Sequence, residues 1–358
     1  RHHARLVVCL AATRSFEYHS SFEDDSMSVK TLIATQDVRE HFERLLRAVT
    51  LPRKLVLRVP PRTTNFGLVG TAFDYALRFE LQRRNPHAIV KEWAAEAAID
   101  RVPKAAERLG LSTRGSRKVQ KLAQDVVTNA RAFVAAHLVN TTPAASDLAT
   151  LATHSLRLAK LDNVYRAYRL DPAIDEVDHE DVPDVVDLLA IVPYELLSHP
   201  TIMLLNPTFG TYSDVTGGAD ADLITGDLLL DFKSTMTVVK REALLQLLAY
   251  LMLSRRAQAE DQAFPKIHRF GLYLSRQAHL WTMDAESITS QPGYSEVEDW
   301  FIQYAADTQM DPDLRELREL EREDAPRAGN KLIGSQRQPG RGRTNPARGG
   351  SKRRQRKV

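Results

Sequence analysis

Cysteine is almost absent from this chain, since Cys9 is the only one in 358 residues. A single thiol cannot form a disulfide within the chain or build a cysteine zinc site, and such usage is typical of a reducing compartment. Long apolar runs are also lacking, because the run at residues 6–12 is far shorter than a membrane span and no cleavage-site pattern follows it. We therefore expect a cytoplasmic protein without a membrane-bound segment, and association with the nucleoid stays open.

Acidic residues are missing from one part of the chain. From residue 326 onward there are eleven Lys or Arg and no Asp or Glu, so the preceding body carries about −8 although the whole chain carries +3. This Gly- and Pro-rich segment has too few large apolar residues to offset the entropy of ordering, which predicts a disordered basic tail at 326–358. A flexible polycation binds nucleic acid without sequence preference, but an import signal or a solubilising tail has the same composition.

The rest of the composition predicts a folded body. The chain is long enough for one large domain or two small ones, and with 43% hydrophobic residues it can bury a core. Residues 1–27 show no clear periodicity and no initiator methionine, and Met27 is a candidate natural start. We expect residues 1–27 to be disordered or non-native, and the domain to span residues 28–322 with helices at 295–308 and 314–323. The oligomeric state stays open.

One pattern in the second half of the chain predicts a β-hairpin that carries a functional site. Gly226 lies in a turn signal between two apolar runs, because glycine reaches positive φ without a steric penalty. On the second strand, the period of two sends Asp231 and Lys233 to one face and Phe232 to the other. Asp222 reaches the same patch if the strands pair across the turn. Two close carboxylates repel each other, so this arrangement favours a hard divalent ion with oxygen ligands.

The segment that follows the hairpin supports this interpretation. Residues 238–256 have a helical pattern rich in leucines that require burial, yet Gln246 and Tyr250 lie one turn apart on the same strip. A polar pair on an otherwise apolar helix indicates a site beside it. The alternative is that the strand charges form a solvated ion pair and the preceding aspartates are turn residues.

The order and spacing of these residues resemble a known family. Asp222, then residues 231–233, then the Gln-x-x-x-Tyr helix look like the core of the PD-(D/E)XK nuclease superfamily in its RecB-like branch. The resemblance covers about residues 67–281, although Ala221 replaces the proline that names the superfamily. It implies an α/β protein with a restriction-endonuclease-like mixed β-sheet core flanked by helices.

The resemblance also implies roles for individual residues. The carboxylates of Asp222 and Asp231 and the main-chain carbonyl of Phe232 would bind Mg²⁺ or Mn²⁺. Lys233 would activate water or steady the phosphate. The Gln-x-x-x-Tyr pair would support the substrate and the geometry of the site.

A second helical pattern, at residues 66–84, offers another carboxylate. Glu80 falls inside its apolar arc, and a carboxylate aimed at the core needs a metal, a shifted pKa or a partner such as Arg84. In RecB-like nucleases, a Gly-x-x-x-His motif lies on a helix that covers the sheet. Here Gly70 is followed by Asp74 at the histidine position. Burial favours Glu80 as the helix-borne ligand and the motif favours Asp74, so both stay open.

Residues 88–200 are dominated by Ala- and Leu-rich helical patterns with charged opposite faces. We predict a helical insertion here, which could form one wall of a substrate channel. Its basic cluster could follow phosphates or be a solvated helix face. The cluster consists of Lys104, Arg108, Arg114, Arg117, Lys118 and Lys121. The acidic segment 171–187 is predicted as a solvated loop, and residues 276–277 as the turn of a second hairpin.

Together these patterns predict a metal-dependent phosphodiesterase that hydrolyses nucleic acid, DNA in preference to RNA. Charge alone cannot read sequence, so the helical insertion or a protein partner would supply specificity. The alternative is a catalytically inactive nucleic-acid-binding or scaffold protein with a nuclease-like fold. A third possibility is an enzyme that uses the same metal hairpin on another substrate. Endo- or exonucleolytic action stays open, as does the setting in repair, recombination or defence against foreign DNA.

Overall fold

The computed structural model describes residues 28–236 and 239–309. The predicted extension at 1–27, the predicted helix at 314–323 and the basic tail lie outside the described residues. The strands are β1 Ile89–Val90, β2 Met203–Leu205, β3 Leu223–Thr225, β4 Leu228–Lys233, β5 Arg269–Leu274 and β6 His279–Asp284. The helices are α1 Val29–Leu32, α2 Gln36–Leu45, α3 Phe66–Arg84, α4 Ala94–Ala97, α5 Val102–Arg108, α6 Thr113–Leu138, α7 Ala145–Ala167, α8 Asp181–Ala190, α9 Tyr194–Leu197, α10 Thr211–Val215, α11 Arg241–Glu260, α12 Glu286–Thr289 and α13 Tyr294–Gln309.

The strands form one six-stranded mixed sheet in the order β1-β2-β3-β4-β5-β6. β1 pairs with β2 and β4 pairs with β5 in parallel, whereas the other neighbours are antiparallel. A parallel pair needs a long connection, and helices supply both: α4 to α9 lie between β1 and β2, and α11 lies between β4 and β5. The protein is therefore a mixed α/β fold.

The alternation of side chains along β4 divides the core into two layers. Leu228 and Leu230 pack into a cluster with α3 and the helices α4 to α8, whereas Leu229 packs into a second cluster with α2, α11 and α13. This follows from the period of two along a strand, and β4 is buried on both faces for the same reason. The helices on each side of the sheet are thus held by opposite faces of the same strand.

Two of the predicted helices decide where the functional residues lie. The pattern at 66–84 is confirmed with the same bounds in α3, and the one at 238–256 corresponds to α11, Arg241–Glu260. α3 packs mainly against α7, which lies in the segment predicted as a helical insertion. Among the described residues, no helix combines the length and the apolar composition needed to cross a membrane.

The prediction of a solvated acidic loop at 171–187 is wrong for its C-terminal half. Asp181 and Asp184 belong to α8 and are buried. The Oδ1 atom of Asp184 accepts a hydrogen bond of 2.9 Å from Arg276, a residue predicted to lie in a turn but fully buried. A pairing between segments 92 residues apart hides both charges, and no local pattern signals it.

Candidate functional site

The turn at Gly226 sets the geometry of the site. Thr225 pairs with Leu228, so Gly226 and Asp227 connect β3 to β4, and Thr225, which the sequence pattern assigned to the turn, belongs to the strand. Gly226 has φ 58°, and a Cβ there would lie 2.7 Å from the Cδ2 atom of His199. The turn therefore requires glycine both for its conformation and for the close approach of the imidazole.

The hairpin register brings Asp222 and Asp231 together. Leu223 pairs with Leu230, so the residue before β3 lies beside the residue that follows in β4. The carboxylate of Asp222 accepts a hydrogen bond from the backbone N–H of Phe232. Asp222 is thereby tied across the hairpin to the strand that carries the other carboxylate.

Asp231 and Lys233 share a face of β4, as the period of two predicts. The ammonium of Lys233 forms an ion pair with Oδ2 of Asp231, although that oxygen receives no well-directed hydrogen bond. The side chain of Asp231 is 5% exposed and that of Lys233 27% exposed, so the ammonium reaches toward solvent from a buried carboxylate. Phe232 points to the opposite face and packs edge-on against Tyr273 at 5.9 Å.

Gln246 and Tyr250 of α11 position the ammonium. Nζ of Lys233 donates to Oε1 of Gln246 over 3.1 Å, and Nε2 of Gln246 donates to the Tyr250 hydroxyl over 2.7 Å. Because the tyrosine oxygen accepts from the amide nitrogen, the amide is held with its oxygen toward Lys233. Burial raises the pKa of Tyr250 well above its ordinary value, so this hydroxyl stays neutral.

These side chains line a pocket of about 390 Å³ between the end of β4, α3 and the last turn of α7. The pocket has an acidic floor, since aspartates from four separate segments reach it. Its charged lining includes Asp74, Asp162, Arg166, Asp220, Asp222, Asp231 and Lys233.

Asp74 is the α3 carboxylate that lines this pocket. Its Oδ2 atom accepts a hydrogen bond of 2.6 Å from the buried Arg78, whereas Oδ1 is buried without a hydrogen-bond partner. Burial raises the pKa of Asp74 above its ordinary value despite the attraction of Arg78. The carboxylate is thus held by an arginine at one oxygen and leaves the other oxygen unused.

Asp222 carries the clearest electrostatic signal in the pocket. Burial raises the pKa of Asp222 well above its ordinary value, and repulsion from Asp74 and Asp231 raises it further. For Lys233, burial lowers the pKa, but the attraction of Asp231 and Asp222 outweighs burial and raises it above the ordinary value. The ammonium of Lys233 is therefore held in its protonated form beside these carboxylates.

Glu80 lies apart from the pocket lining, which corrects the expectation based on burial. Its carboxylate accepts hydrogen bonds of 2.6 Å from His137 and 2.8 Å from Arg83, with Arg84 more distant at 3.4 Å. Burial would raise the pKa of Glu80, but the hydrogen bonds from His137 and Arg83 lower it to about 2. Glu80 lies six positions after Asp74 in the helix, a shift of about 9 Å along the axis with a rotation of roughly 240°. Asp74 therefore lines the pocket, whereas Glu80 contacts His137 and Arg83 outside it.

The sequence analysis missed one wall of the pocket. Arg166, in the last turn of α7, contacts Asp162 at 2.6 Å and Asp220 at 3.3 Å. Asp162 is buried and also accepts a hydrogen bond of 3.2 Å from the Tyr75 hydroxyl. The spacing of four between Asp162 and Arg166 was a local signal for their pairing, but nothing local predicts the contact with Asp220.

The pocket has the donor chemistry of a site for a hard divalent ion. Asp222 and Asp231 present carboxylate oxygens, and Asp74 has a buried oxygen without a hydrogen bond. Across residues 28–236 and 239–309, no three His, Cys, Asp or Glu side chains already converge as a metal-ligand group. The donor types therefore fit a two-carboxylate site, with the third carboxylate still held by Arg78.

The chain was compared with family models, curated proteins and solved structures. No family model, no curated protein and no solved structure matches the chain. The likeness to RecB-like nucleases therefore stays a resemblance carried by the motif residues.

Proposed function

We propose that this protein is a metal-dependent nuclease with a restriction-endonuclease-like core. It would hydrolyse phosphodiester bonds in nucleic acid, with DNA preferred over RNA. The observation that carries the proposal is the convergence of Asp222, Asp231 and Lys233 at the end of one hairpin, inside a pocket. Carboxylates beside a cation, largely shielded from water, are typical of sites that handle phosphate esters with a divalent ion. A solvated ion pair would not leave Asp231 buried.

In this proposal, Asp222 and Asp231 hold Mg²⁺ or Mn²⁺, with the carbonyl of Phe232 as a further ligand and Asp74 completing the set. A bound ion supplies a Lewis acid that polarises the phosphate and lowers the pKa of a nearby water. Burial, and then repulsion from Asp74 and Asp231, raise the pKa of Asp222. This supports the assignment, because a divalent cation between the carboxylates relieves the repulsion.

Lys233 then acts mainly as a fixed positive charge. Since the neighbouring carboxylates raise the pKa of its ammonium, it stays protonated near neutral pH and stabilises negative charge that develops on the phosphate. Gln246 and Tyr250 hold it in place through hydrogen bonds of 3.1 and 2.7 Å. They act as positioning residues, since neither is the charged group.

The substrate class follows from charge and from the shape of the site. Arg166 of α7 lines the pocket together with residues of the hairpin. A nucleic acid strand could therefore lie between the hairpin and the helical segment that was predicted as a channel wall. The basic residues beyond 326 would raise the local concentration of a polyanion. These contacts do not read sequence, so specificity would come from the helical segment or from a protein partner.

The test is a cleavage assay on purified protein. Linear, circular and single-stranded DNA and RNA are incubated with Mn²⁺ or with EDTA, and cleavage is expected only with Mn²⁺. Asp231→Asn and Lys233→Met should each lower the rate by roughly 10²-fold or more. Matched controls are Asp284→Asn and Lys266→Met, which remove exposed charges outside the pocket lining. Cleavage that persists in both pocket variants would show that the site is wrong.

One observation favours the second candidate, a binding or scaffold protein without catalysis. Asp74 is engaged by Arg78, and within the described residues the third metal ligand is not yet in place. A non-catalytic protein would bind the same nucleic acids in EDTA and in Mn²⁺ but cleave none of them. An enzyme for a different substrate would bind Mn²⁺ through Asp222 and Asp231 and leave every nucleic acid intact.

A further inference from the structure

One exposed aromatic ring lies at the rim of the pocket. Phe66, the first residue of α3, is 42% exposed and lines the pocket together with the aspartates of its floor. The other large hydrophobic side chains that are exposed among the described residues are not aromatic and lie outside this lining. A Cβ placed on the neighbouring Gly67 would meet no atom within 4 Å. The surface beside the ring is therefore open.

The position of Phe66 continues the apolar stripe through which α3 packs. Val69 and Phe73 follow it at spacings of three and seven residues, so the three side chains share one face of the helix. Val69 and Phe73 are fully buried in the core, whereas Phe66 reaches solvent one turn earlier. Scattered apolar side chains are normal on protein surfaces, but this one ends a packed stripe inside a charged pocket. The ring is therefore apolar surface that a ligand can cover.

Lys30 of α1 supplies a cation at the same rim. Lys233 and Arg166, the other cations of the lining, are each paired with aspartates. Lys30 is exposed, and within the part of the chain that the structure describes its ammonium takes part in no ion pair or hydrogen bond. Its neighbours Val29 and Leu32 are buried in the cluster with α11, which fixes α1 in place. This cation is thus free to meet an anion.

The ring and the ammonium approach the pocket from opposite layers of the fold. α3 packs in the core cluster on one face of the sheet, and α1 packs with α11 in the cluster on the other face. Each nucleotide of a single strand offers a phosphate to a cation and an unstacked base to an aromatic ring. Inside a duplex, neighbouring bases cover both faces of each base, so Phe66 could stack only on an unpaired or terminal base.

We propose that Phe66 stacks on an unpaired base and that Lys30 contacts the adjoining phosphate, so that the pocket takes single-stranded DNA in preference to intact duplex. This inference rests on the proposed function, because it names the strand form that the same site accepts. Every base has a face that can stack, so the contact selects the strand form and not the sequence. Both side chains act in binding, and the chemistry stays with the residues of the pocket floor.

The first experiment locates the contact. Single-stranded oligonucleotides that carry iododeoxyuridine are bound to the full chain in Ca²⁺, which also takes oxygen ligands, and are irradiated. A stacked iodouracil crosslinks to an aromatic ring, and mass spectrometry should place a crosslink in the tryptic peptide of residues 63–78, which contains Phe66. Phe66→Leu should remove that crosslink, because leucine keeps an apolar side chain without the ring.

The second experiment measures affinity by fluorescence anisotropy at several salt concentrations. Phe66→Leu should weaken binding of single strands roughly fivefold or more, whereas Phe66→Trp keeps a stacking surface and should bind within about twofold of the wild type. Lys30→Met should lower the slope of log affinity against log salt by about 0.7, the value for one phosphate of a single strand. Binding of circular duplex should change little in Phe66→Leu, because its bases are covered.

Matched controls are Leu196→Ala and Lys266→Met, which alter exposed side chains outside the pocket lining and should bind like the wild type. The basic tail is present in every variant. A crosslink confined to residues beyond 326, or equal losses in Phe66→Leu and Leu196→Ala at unchanged melting temperature, would overturn this inference, as would a wild type that binds no single strand. Cleavage in Mn²⁺ together with either result would leave the nuclease proposal standing. A crosslink at Phe66 without cleavage of any nucleic acid would overturn the nuclease proposal alone.

Discussion

Replacing Arg276 by methionine tests the ion pair that joins α8 to the end of β5. The two terminal guanidinium nitrogens of Arg276, Nη1 and Nη2, donate to Oδ1 and Oδ2 of Asp184 over 2.9 and 3.1 Å. Both residues are fully buried, at 0% exposure. Asp184 also accepts from the backbone N–H of Arg62 at 3.2 Å, which leaves the carboxylate with hydrogen bonds that suit its ionised form.

The expected loss in free energy of unfolding depends on the buried charge that each substitution leaves unpaired. Methionine preserves most of the apolar volume but leaves the Asp184 carboxylate buried without its counter-ion, which costs about 3–5 kcal/mol. Asp184→Leu leaves the guanidinium in the same state, so a similar loss is expected. The double variant removes both charges and should lose only about 1 kcal/mol, which gives a coupling energy of at least ~5 kcal/mol between the two side chains.

Urea unfolding followed by circular dichroism provides the measurement. The exposed ion pair of Arg269 with Asp227, 2.8 Å apart with side chains 49% and 41% exposed, is the control. Arg269→Met should change the free energy of unfolding by less than about 1 kcal/mol. If Arg276→Met and Arg269→Met cost the same, or if the double variant is as unstable as the single ones, the reasoning about burial is refuted.

Three further substitutions test the pocket and the Glu80 network. Burial and repulsion raise the pKa of Asp222 above its value in the unfolded chain, so the folded metal-free protein binds the carboxyl proton more tightly. Its free energy of unfolding should therefore fall as pH rises above about 4. Asp222→Asn should flatten this pH dependence in thermal melts and abolish stabilisation by Mn²⁺. Glu80 has a pKa of about 2, so its contribution is complete above the ordinary value of 4.5 and is lost as pH falls toward about 2. Glu80→Gln should cost about 2–3 kcal/mol at neutral pH yet keep cleavage activity below its melting temperature, and loss of cleavage in the folded variant would restore Glu80 as a ligand candidate. Tyr250→Phe removes the hydroxyl acceptor that orients Gln246, so it should lower the cleavage rate about tenfold with little change in substrate affinity. An unchanged rate constant would show that Tyr250 does not position Lys233 through Gln246.

Local patterns in the sequence were enough for the elements that carry the motif. The helix at 66–84 and the position of the turn at Gly226 depend on the spacing of apolar residues and on the freedom of glycine, which are properties of neighbouring residues. The shared face of Asp231 and Lys233 follows from the geometry of a strand, once β4 is recognised. The predicted roles of these residues stay proposals.

Tertiary structure decided the features that depend on residues far apart in the chain. It placed Asp74 in the pocket lining and left Glu80 with His137, although both carboxylates lie on the same helix. It also brought Arg166 to Asp220 across 54 residues. Local periodicity states which face of an element is apolar, but not which partner will cover a charge on that face. That choice depends on the packing of whole elements, because a buried charge is stable only where another segment brings its counter-ion.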